Sequence, residues 1–566
     1  MDKLPVVFVW HMHQPEYRDP HDRVYQQPWT YLHAIKDYAD MAAHLERWPK
    51  ARVVVNFVPI LLEQLEDYAE QLARYRQTAA VGELRDPLLQ SLVAPAVLSE
   101  AQRTTVMQAL LRANRRHMIE RFPPFARLVR AAEALLDTGS AGQYADDAFL
   151  ADLSTWYHLA WCGETLRQSS PLVASLLEQD GGFSVESRRE LLDVIGGTIA
   201  GLFDRYRELA ERGQIELSMS PYAHPIMPLL LDLRAGTDSE PDAPQPEARD
   251  YPDGADRLRW HIQHGREVFQ RLLGVAPAGC WPSEGAVSEA TCRLLDESGF
   301  AWAASGQQVL QNSLNHAHQE VRCPHQAYQL PGQSLQLFFR DDRLSDRIGF
   351  DYQRWHADDA IGDLTHHLIS IAEACTHQGV EAPVVSIILD GENAWEHYPD
   401  NGFWLLDGLY KCLSAHPFIE MTTFADVIGA GAEPLVLRSL RAGSWVYGSL
   451  STWVGETAKN LAWDRLVEAR TAYLAAEAVG GWDEETRQRN AQQLAVCEGS
   501  DWFWWFGGDN PADATRDFDR LFRLQLGRLY ELIGQPTPAH LEQPICAPLT
   551  DTGREPTGGA MRRGQA

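Results

Sequence analysis

Two carboxylates stand where an acid is costly unless it faces a cleft. Glu284 lies in Trp281-Pro282-Ser283-Glu284-Gly285 and Asp390 in Leu389-Asp390-Gly391-Glu392-Asn393-Ala394-Trp395-Glu396; each follows a short apolar run and has tryptophan nearby. Charge at the end of a buried strand is expensive in apolar surroundings. Cleavage of a glycosidic bond requires such a pair, one carboxyl ionised to attack or to stabilise, the other protonated to support the leaving oxygen. An apolar aromatic wall raises one carboxyl pKa, while a polar setting keeps the other ionised. Taken singly, each is equally compatible with a loop-end acid or a helix cap.

Three further polar clusters accompany them. His11-Met12-His13-Gln14-Pro15 places His11 and His13 two apart, hence on one face of a strand. That spacing suits a metal site if a third ligand exists, a hydrogen-bonding pair in a sugar cleft, or a satisfied buried pair. Gly213-Gln214-Ile215-Glu216 runs on to Ser220-Pro221-Tyr222-Ala223-His224-Pro225. Glu498-Gly499-Ser500-Asp501-Trp502-Phe503-Trp504-Trp505 is dense in aromatics, and Asp501 and Trp504 share a face on one helical turn. A stacking platform beside a hydroxyl acceptor and an inter-domain hydrophobic seam are both open readings of it.

The elements that must carry these groups alternate. Leu4–Trp10, Val53–Ile60, Ile215–Ser220, Gly279–Trp281, Trp302–Ser305, Leu335–Phe339 and Val384–Leu389 read as short, mostly apolar parallel strands. Arg257–Gly274, Ser288–Gly299 and Asp358–Gln378 read as intervening helices. The alternation predicts an α/β fold with a parallel sheet, and several candidate residues sit just after strands, where barrel enzymes keep their chemistry. Residues 61–212 form a long helical excursion, with Ser99–Arg121 and Ser187–Gly213 as examples, and 232–256 is a surface loop rich in Asp, Pro and Gly. Residues 1–428 are thus assigned to the barrel with its excursion and 429–534 to a helical C-terminal domain, while 535–566 has little periodicity and reads as a disordered tail.

Composition excludes some classes. The 566 residues exceed one compact core, and the formal net charge of −28 repels a phosphate backbone, so nucleic acid is not an expected partner. The eight cysteines are scattered without a CxxC pair, as free thiols in a reducing, cytoplasmic compartment would be. No apolar run reaches the ~18 residues a membrane span requires, and Leu4–Trp10 lacks a small-residue cleavage site after it. The oligomeric state is not written in the sequence.

Taken in order, the five clusters resemble the five sequence regions of glycoside hydrolase family 57, from His11 to Asp509. Phe339-Arg340-Asp341-Asp342, Leu344-Ser345-Asp346 and Ile348-Gly349-Phe350 resemble its amylase-like branch. The resemblance implies a distorted (β/α)7 barrel followed by a helical domain that helps to form the cleft. It implies retaining chemistry on α-glucans or maltooligosaccharides, by an amylase or a 4-α-glucanotransferase, with no cofactor and no required metal. Glu284 matches the nucleophile and Asp390 the acid/base. His11, His13, Gln14, Glu216, His224, Trp281, Glu392 and Trp395 match substrate-binding positions, and Asp501 and Trp504 match the contribution of the helical domain. Competing readings are a metal-dependent glycosidase or deacetylase that uses His11 and His13 as ligands, and a non-catalytic glucan-binding protein that would need neither Glu284 nor Asp390.

Overall fold

The computed structural model describes residues 3–546, apart from 322 and 509. Seven parallel strands form the barrel: β1 (Leu4–Met12), β2 (Val53–Phe57), β3 (Ile215–Met219), β4 (Gly279–Cys280), β5 (Trp302–Gly306), β6 (Gln336–Arg340) and β7 (Val385–Asp390). They pair in chain order, and β7 closes the ring onto β1. The closure is uneven: β4 has two residues, and β6 meets β7 through the single register pair Arg340 with Ser386. The barrel is accordingly the distorted seven-stranded kind expected.

Strand parity decides what the barrel interior sees. Val7, Val9, Val54, Trp302, Ala304, Phe338 and Ile388 pack together as an inner apolar cluster, with Phe424 among them. Alternation at a period of two carries the same face to His11 after Val9, to Asn56 after Val54 and to Asp390 after Ile388. These three lie side by side at the carboxyl ends of their strands, His11 registered with both Asn56 and Asp390. Phe8, Trp10 and Val55 belong instead to the larger core between barrel and helices.

The excursion lies between β2 and β3, opening with the Pro59–Thr78 helix and closing with the Val185–Glu211 helix. Pro59 therefore starts a helix, where its missing N–H costs nothing, and the strand expected over Val53–Ile60 stops at Phe57. The helix expected over Ser99–Arg121 is interrupted: Glu100–Ala109 is α-helical and Arg115–Ile119 is a π turn. Asn114 lies between them with its backbone out of the helical region, and its side chain accepts from His117 N–H at 2.9 Å. The side chains of an asparagine compete well with a helix for backbone donors.

Past Ile428 the chain is not at once helical. Leu435–Val436 adds a short strand beside Tyr328–Gln329, and Gly443 bridges to Val287 beside the β4 turn. Helices resume with Thr457–Val479, followed by Glu484–Cys497, Asp501–Trp505 and Ala512–Leu532. The Gly254–Leu273 helix of the barrel is tied to this group through Glu498, which is buried and accepts from Arg257 Nη2, His261 Nε2 (both 2.8 Å) and Tyr251 Oη (2.5 Å). Residues 535–546 depart from the expected disordered tail. Ala539–Glu542 makes a 3-10 turn, Leu541 is buried, and Asp519 accepts from the Ile545 and Cys546 N–H groups. The rest of the proposed tail, 547–566, lies outside the described residues, as does Asp509.

Candidate active site

Glu284 sits in a tight turn just past β4, and its backbone is left-handed (φ 59°, ψ 22°), a conformation that costs a non-glycine residue roughly 1–3 kcal/mol. The surroundings enforce it. Gly285 follows with φ 58°, and a Cβ there would come within 2.7 Å of the Trp281 ring. Trp445 N–H donates to the Glu284 carbonyl (3.1 Å), and its indole Nε1–H donates to Glu284 Oε2 (2.9 Å). Trp445 in turn contacts the Trp281 ring (5.2 Å, edge-on) and the Arg340 guanidinium (5.4 Å).

Asp390 ends β7 and receives a hydrogen bond from Asn393 Nδ2 to Oδ2 (2.9 Å). Burial pushes its carboxyl up to about 6, against the Asn393 bond and the attraction of His13 and Arg340. Glu392, two residues on, is fully enclosed and accepts from His13 N–H (3.0 Å) and Gln14 Nε2–H (3.4 Å). Burial first, then the neighbouring Asp390, raise it well above the usual carboxylate range. Glu392 thereby holds the His13-Gln14 backbone against the β7 loop.

Three imidazoles stack beside the carboxylates: His13 on His224 with ring centres 4.0 Å apart, and His224 on His11 at 5.0 Å. His11 Nδ1–H donates to Asn56 Oδ1 (2.7 Å), and burial, then His13, lower its pKa to about 3. His224, also left-handed (φ 59°), shares a hydrogen bond with Ser500 Oγ (2.9 Å) and comes within 3.9 Å of Glu284 Oε1. Burial, then His13 and His11, hold it far below its usual value, so it is neutral. His13 Nε2–H donates to Asp501 Oδ2 (2.9 Å), a contact between residues 488 apart. His13 Nδ1 and His224 Nε2 are buried with no hydrogen-bond partner among the described residues. A cavity of about 790 Å³ opens over the group, lined by Glu284, Asp390, His13, Glu392, Asp501 and Trp504 among others.

The sequence profile of glycosyl hydrolase family 57 matches residues 7–435. The chain belongs to glycosyl hydrolase family 57. No curated protein sequence matches it. Among solved structures, the family 57 chain is similar to a branching enzyme from Thermococcus kodakaraensis at 16% identity and TM-score 0.55, covering 94% of this chain and 90% of that one. It is similar to a branching enzyme from Pyrococcus horikoshii at 14% and 0.55, covering 100% and 99%. It is also similar to the α-amylase AmyC from Thermotoga maritima at 11% and 0.55, covering 94% and 93%.

Of the residues singled out in this family 57 sequence, Glu284, Asp390, His11, His13, Gln14, Glu392, Asp501 and Trp504 line this same cavity. His224 lies immediately behind them. Three others do not line it. Glu216 faces the barrel interior, but from the second residue of β3, at the opposite end, where it accepts from Trp302 Nε1–H (2.6 Å) and Ala425 N–H (2.9 Å). Trp281 is wholly buried and backs Gly285 and Trp445. Trp395 is equally buried; its Nε1–H donates to Gly391 O (2.9 Å) and its ring meets Trp10 edge-on. Both tryptophans shape the loops that hold the carboxylates. Sequence reasoning missed Trp445, Asn393 and the far wall of the cavity, where Arg112, Asn114 and Trp161 come from the excursion and Trp29 from the short helix between β1 and β2. The break in the helix at Asn114 puts that wall in place, and regular helical periodicity gave no sign of it.

Proposed function

We propose that this family 57 enzyme acts on α-1,4-glucans as an amylase or 4-α-glucanotransferase, with retention of configuration, in a cytoplasmic setting. Glu284 attacks the anomeric carbon while Asp390 gives its proton to the departing glycosidic oxygen. Asp390 then takes a proton from water or a sugar hydroxyl as that oxygen attacks the glucosyl-enzyme. One observation carries the reading: both carboxyl groups line a single cavity in contrasting settings. Asp390 is buried and raised to about 6, suited to hold a proton, while Glu284 has an oxygen oriented by the Trp445 N–H. The unpartnered His13 Nδ1 and His224 Nε2 suit the hydroxyls of a bound sugar, and the unbridged cysteines agree with a reducing compartment.

The metal-dependent alternative needs His11 as a ligand. The donor atoms that converge within 4.8 Å are those of His13, His224 and Asp501, and His11 Nδ1 is engaged by Asn56. Activity on glucan that persists through chelation, measured well below the melting temperature, disposes of the metal-dependent alternative. The decisive assay is maltoheptaose turnover followed by NMR of the first-formed anomer, for wild type, Glu284→Gln and Asp390→Asn. Initial release of the α-anomer, and loss of several orders of magnitude in both variants, are expected. Initial β-anomer, or near-wild-type turnover in either variant, overturns the assignment.

A further inference from the structure

A second convergence of reactive side chains lies apart from the cavity. Cys323 and His325 precede the Tyr328–Gln329 strand, and Cys375 comes from the last turn of the Ala357–His377 helix. Their ligand atoms all fall within 4.8 Å of one another. The two sulfurs are 2.7 Å apart, and His325 Nδ1 is 3.8 Å from Cys323 Sγ. The other ring nitrogen of His325, Nε2, donates to Asp341 Oδ2 at 2.9 Å, while Asp341 Oδ1 is fixed by the Leu344 N–H at 2.8 Å.

We propose that Cys323, His325 and Cys375 bind one zinc ion, with Asp341 orienting the imidazole and a water completing the tetrahedron. The donor chemistry selects the metal. Two thiolates and an imidazole are a sulfur and nitrogen set suited to zinc, whereas magnesium and calcium require oxygen ligands. A histidine that presents one nitrogen to a metal and donates from the other to a fixed carboxylate is how proteins set tautomer and ring orientation at such sites. Both sulfurs are buried, Cys323 4% and Cys375 1% exposed. Binding releases the two thiol protons to solvent, and the two thiolate charges then offset that of the ion. With zinc ~2.3 Å from each sulfur, tetrahedral geometry sets the sulfurs about 3.8 Å apart. Cys323, on a loop, is the one free to withdraw, since Cys375 is held in a helix.

The site is distinct from the carboxylates, but it shares a segment with them. Asp341 is adjacent to Arg340, which packs over Trp445, the residue that holds Glu284. Zinc would brace the Ala357–His377 helix against the end of β6, so its removal should act on stability and leave turnover below the melting temperature nearly unchanged.

The test uses the full chain produced with zinc supplementation and purified in reducing buffer without chelator. Elemental analysis should find about one equivalent of zinc in the wild type and little in Cys375→Ser. Cobalt added to protein stripped by a chelator should give a near-ultraviolet sulfur-to-metal charge-transfer band that Cys375→Ser abolishes and Cys412→Ser, an exposed control, retains. Stripping should lower the melting temperature by several degrees, and zinc should restore it. Should the Cys375→Ser protein fail to fold, alkylation of wild type mapped by mass spectrometry replaces it, with zinc expected to protect Cys323 and Cys375 together. A wild type that takes up neither zinc nor cobalt overturns the proposal. So does a Cys323–Cys375 disulfide mapped in metal-supplemented protein, or alkylation at these two thiols that zinc leaves unchanged.

Discussion

Asp390 couples the chemistry of the site to the stability of the fold. An unfolded aspartate titrates near about 3.9, and here burial lifts the folded value to about 6. Between those values the folded state binds more protons, so stability falls as pH rises through the window and stays lower above it. Asp390→Asn buries no charge. It should be more stable than wild type at pH 8 by on the order of 3 kcal/mol, with the advantage gone below about pH 4; denaturant melts at the two pH values read this directly. In its proposed role as proton donor Asp390 must be protonated, so wild-type kcat/KM should decline as pH rises through about 6. Trp445→Phe keeps a ring against Trp281 and Arg340 but removes the donor to Glu284 Oε2. A hydrogen bond to a charged group is worth roughly 1.5–3 kcal/mol, so turnover should fall about 10- to 100-fold, with little change in melting temperature; steady-state kinetics and calorimetry on this variant check both. The carboxylates were legible because an acid after an apolar run is costly. Trp445 was not, because its tie to Glu284 spans 161 residues and no local pattern announces it. Glu216 was misplaced for a different reason: a motif names a strand, but only position within the strand tells which end of a barrel it faces.

At the scale of elements, strands were legible and interruptions were not. Val53–Phe57 and Val385–Asp390 are near-continuous apolar runs buried on both faces, as parallel strands must be. The break at Asn114 was hidden because the residues on either side keep a helical rhythm, and the loss of helix is compensated by an asparagine cap worth about 1 kcal/mol. The Glu498 clamp joins two elements far apart in sequence. Burial alone would raise its carboxyl, but Arg257 and His261 outweigh that and hold it at about 2. Its stabilising contribution is therefore full above the unfolded glutamate value, near 4.3, and is lost as pH falls through about 2. Glu498→Gln leaves the Arg257 guanidinium buried and uncompensated, and should cost about 3–5 kcal/mol at neutral pH. Chemical denaturation measures the loss, and limited proteolysis should show the Thr457–Leu532 helices released first.

For the molecule as a whole, the C-terminal helices help to wall the cavity, since Asp501 and Trp504 line it with Glu284 and Asp390. A chain ending at Gly455 keeps both carboxylates and Trp445, yet should be insoluble or inactive; a soluble, fully active truncation would show the helices to be an accessory. Trp504 is only 6% exposed and also packs on Trp453 at 5.8 Å, so Trp504→Ala should lower both glucan affinity and melting temperature. The first strand has its partners late in the chain. β1 pairs with β7, His13 waits for Asp501, and Asp19 accepts both Arg528 Nε and Nη2 at 3.0 Å. At synthesis rates of about 5–20 residues per second, His13 precedes Asp501 out of the ribosome by roughly 25–100 s. Until β7 emerges, one edge of β1 is unpaired and an apolar face is uncovered, so the nascent chain should depend on whatever shields hydrophobic strands during translation. Its yield in a foreign host should depend more on elongation speed and chaperone supply than on the stability of the finished fold.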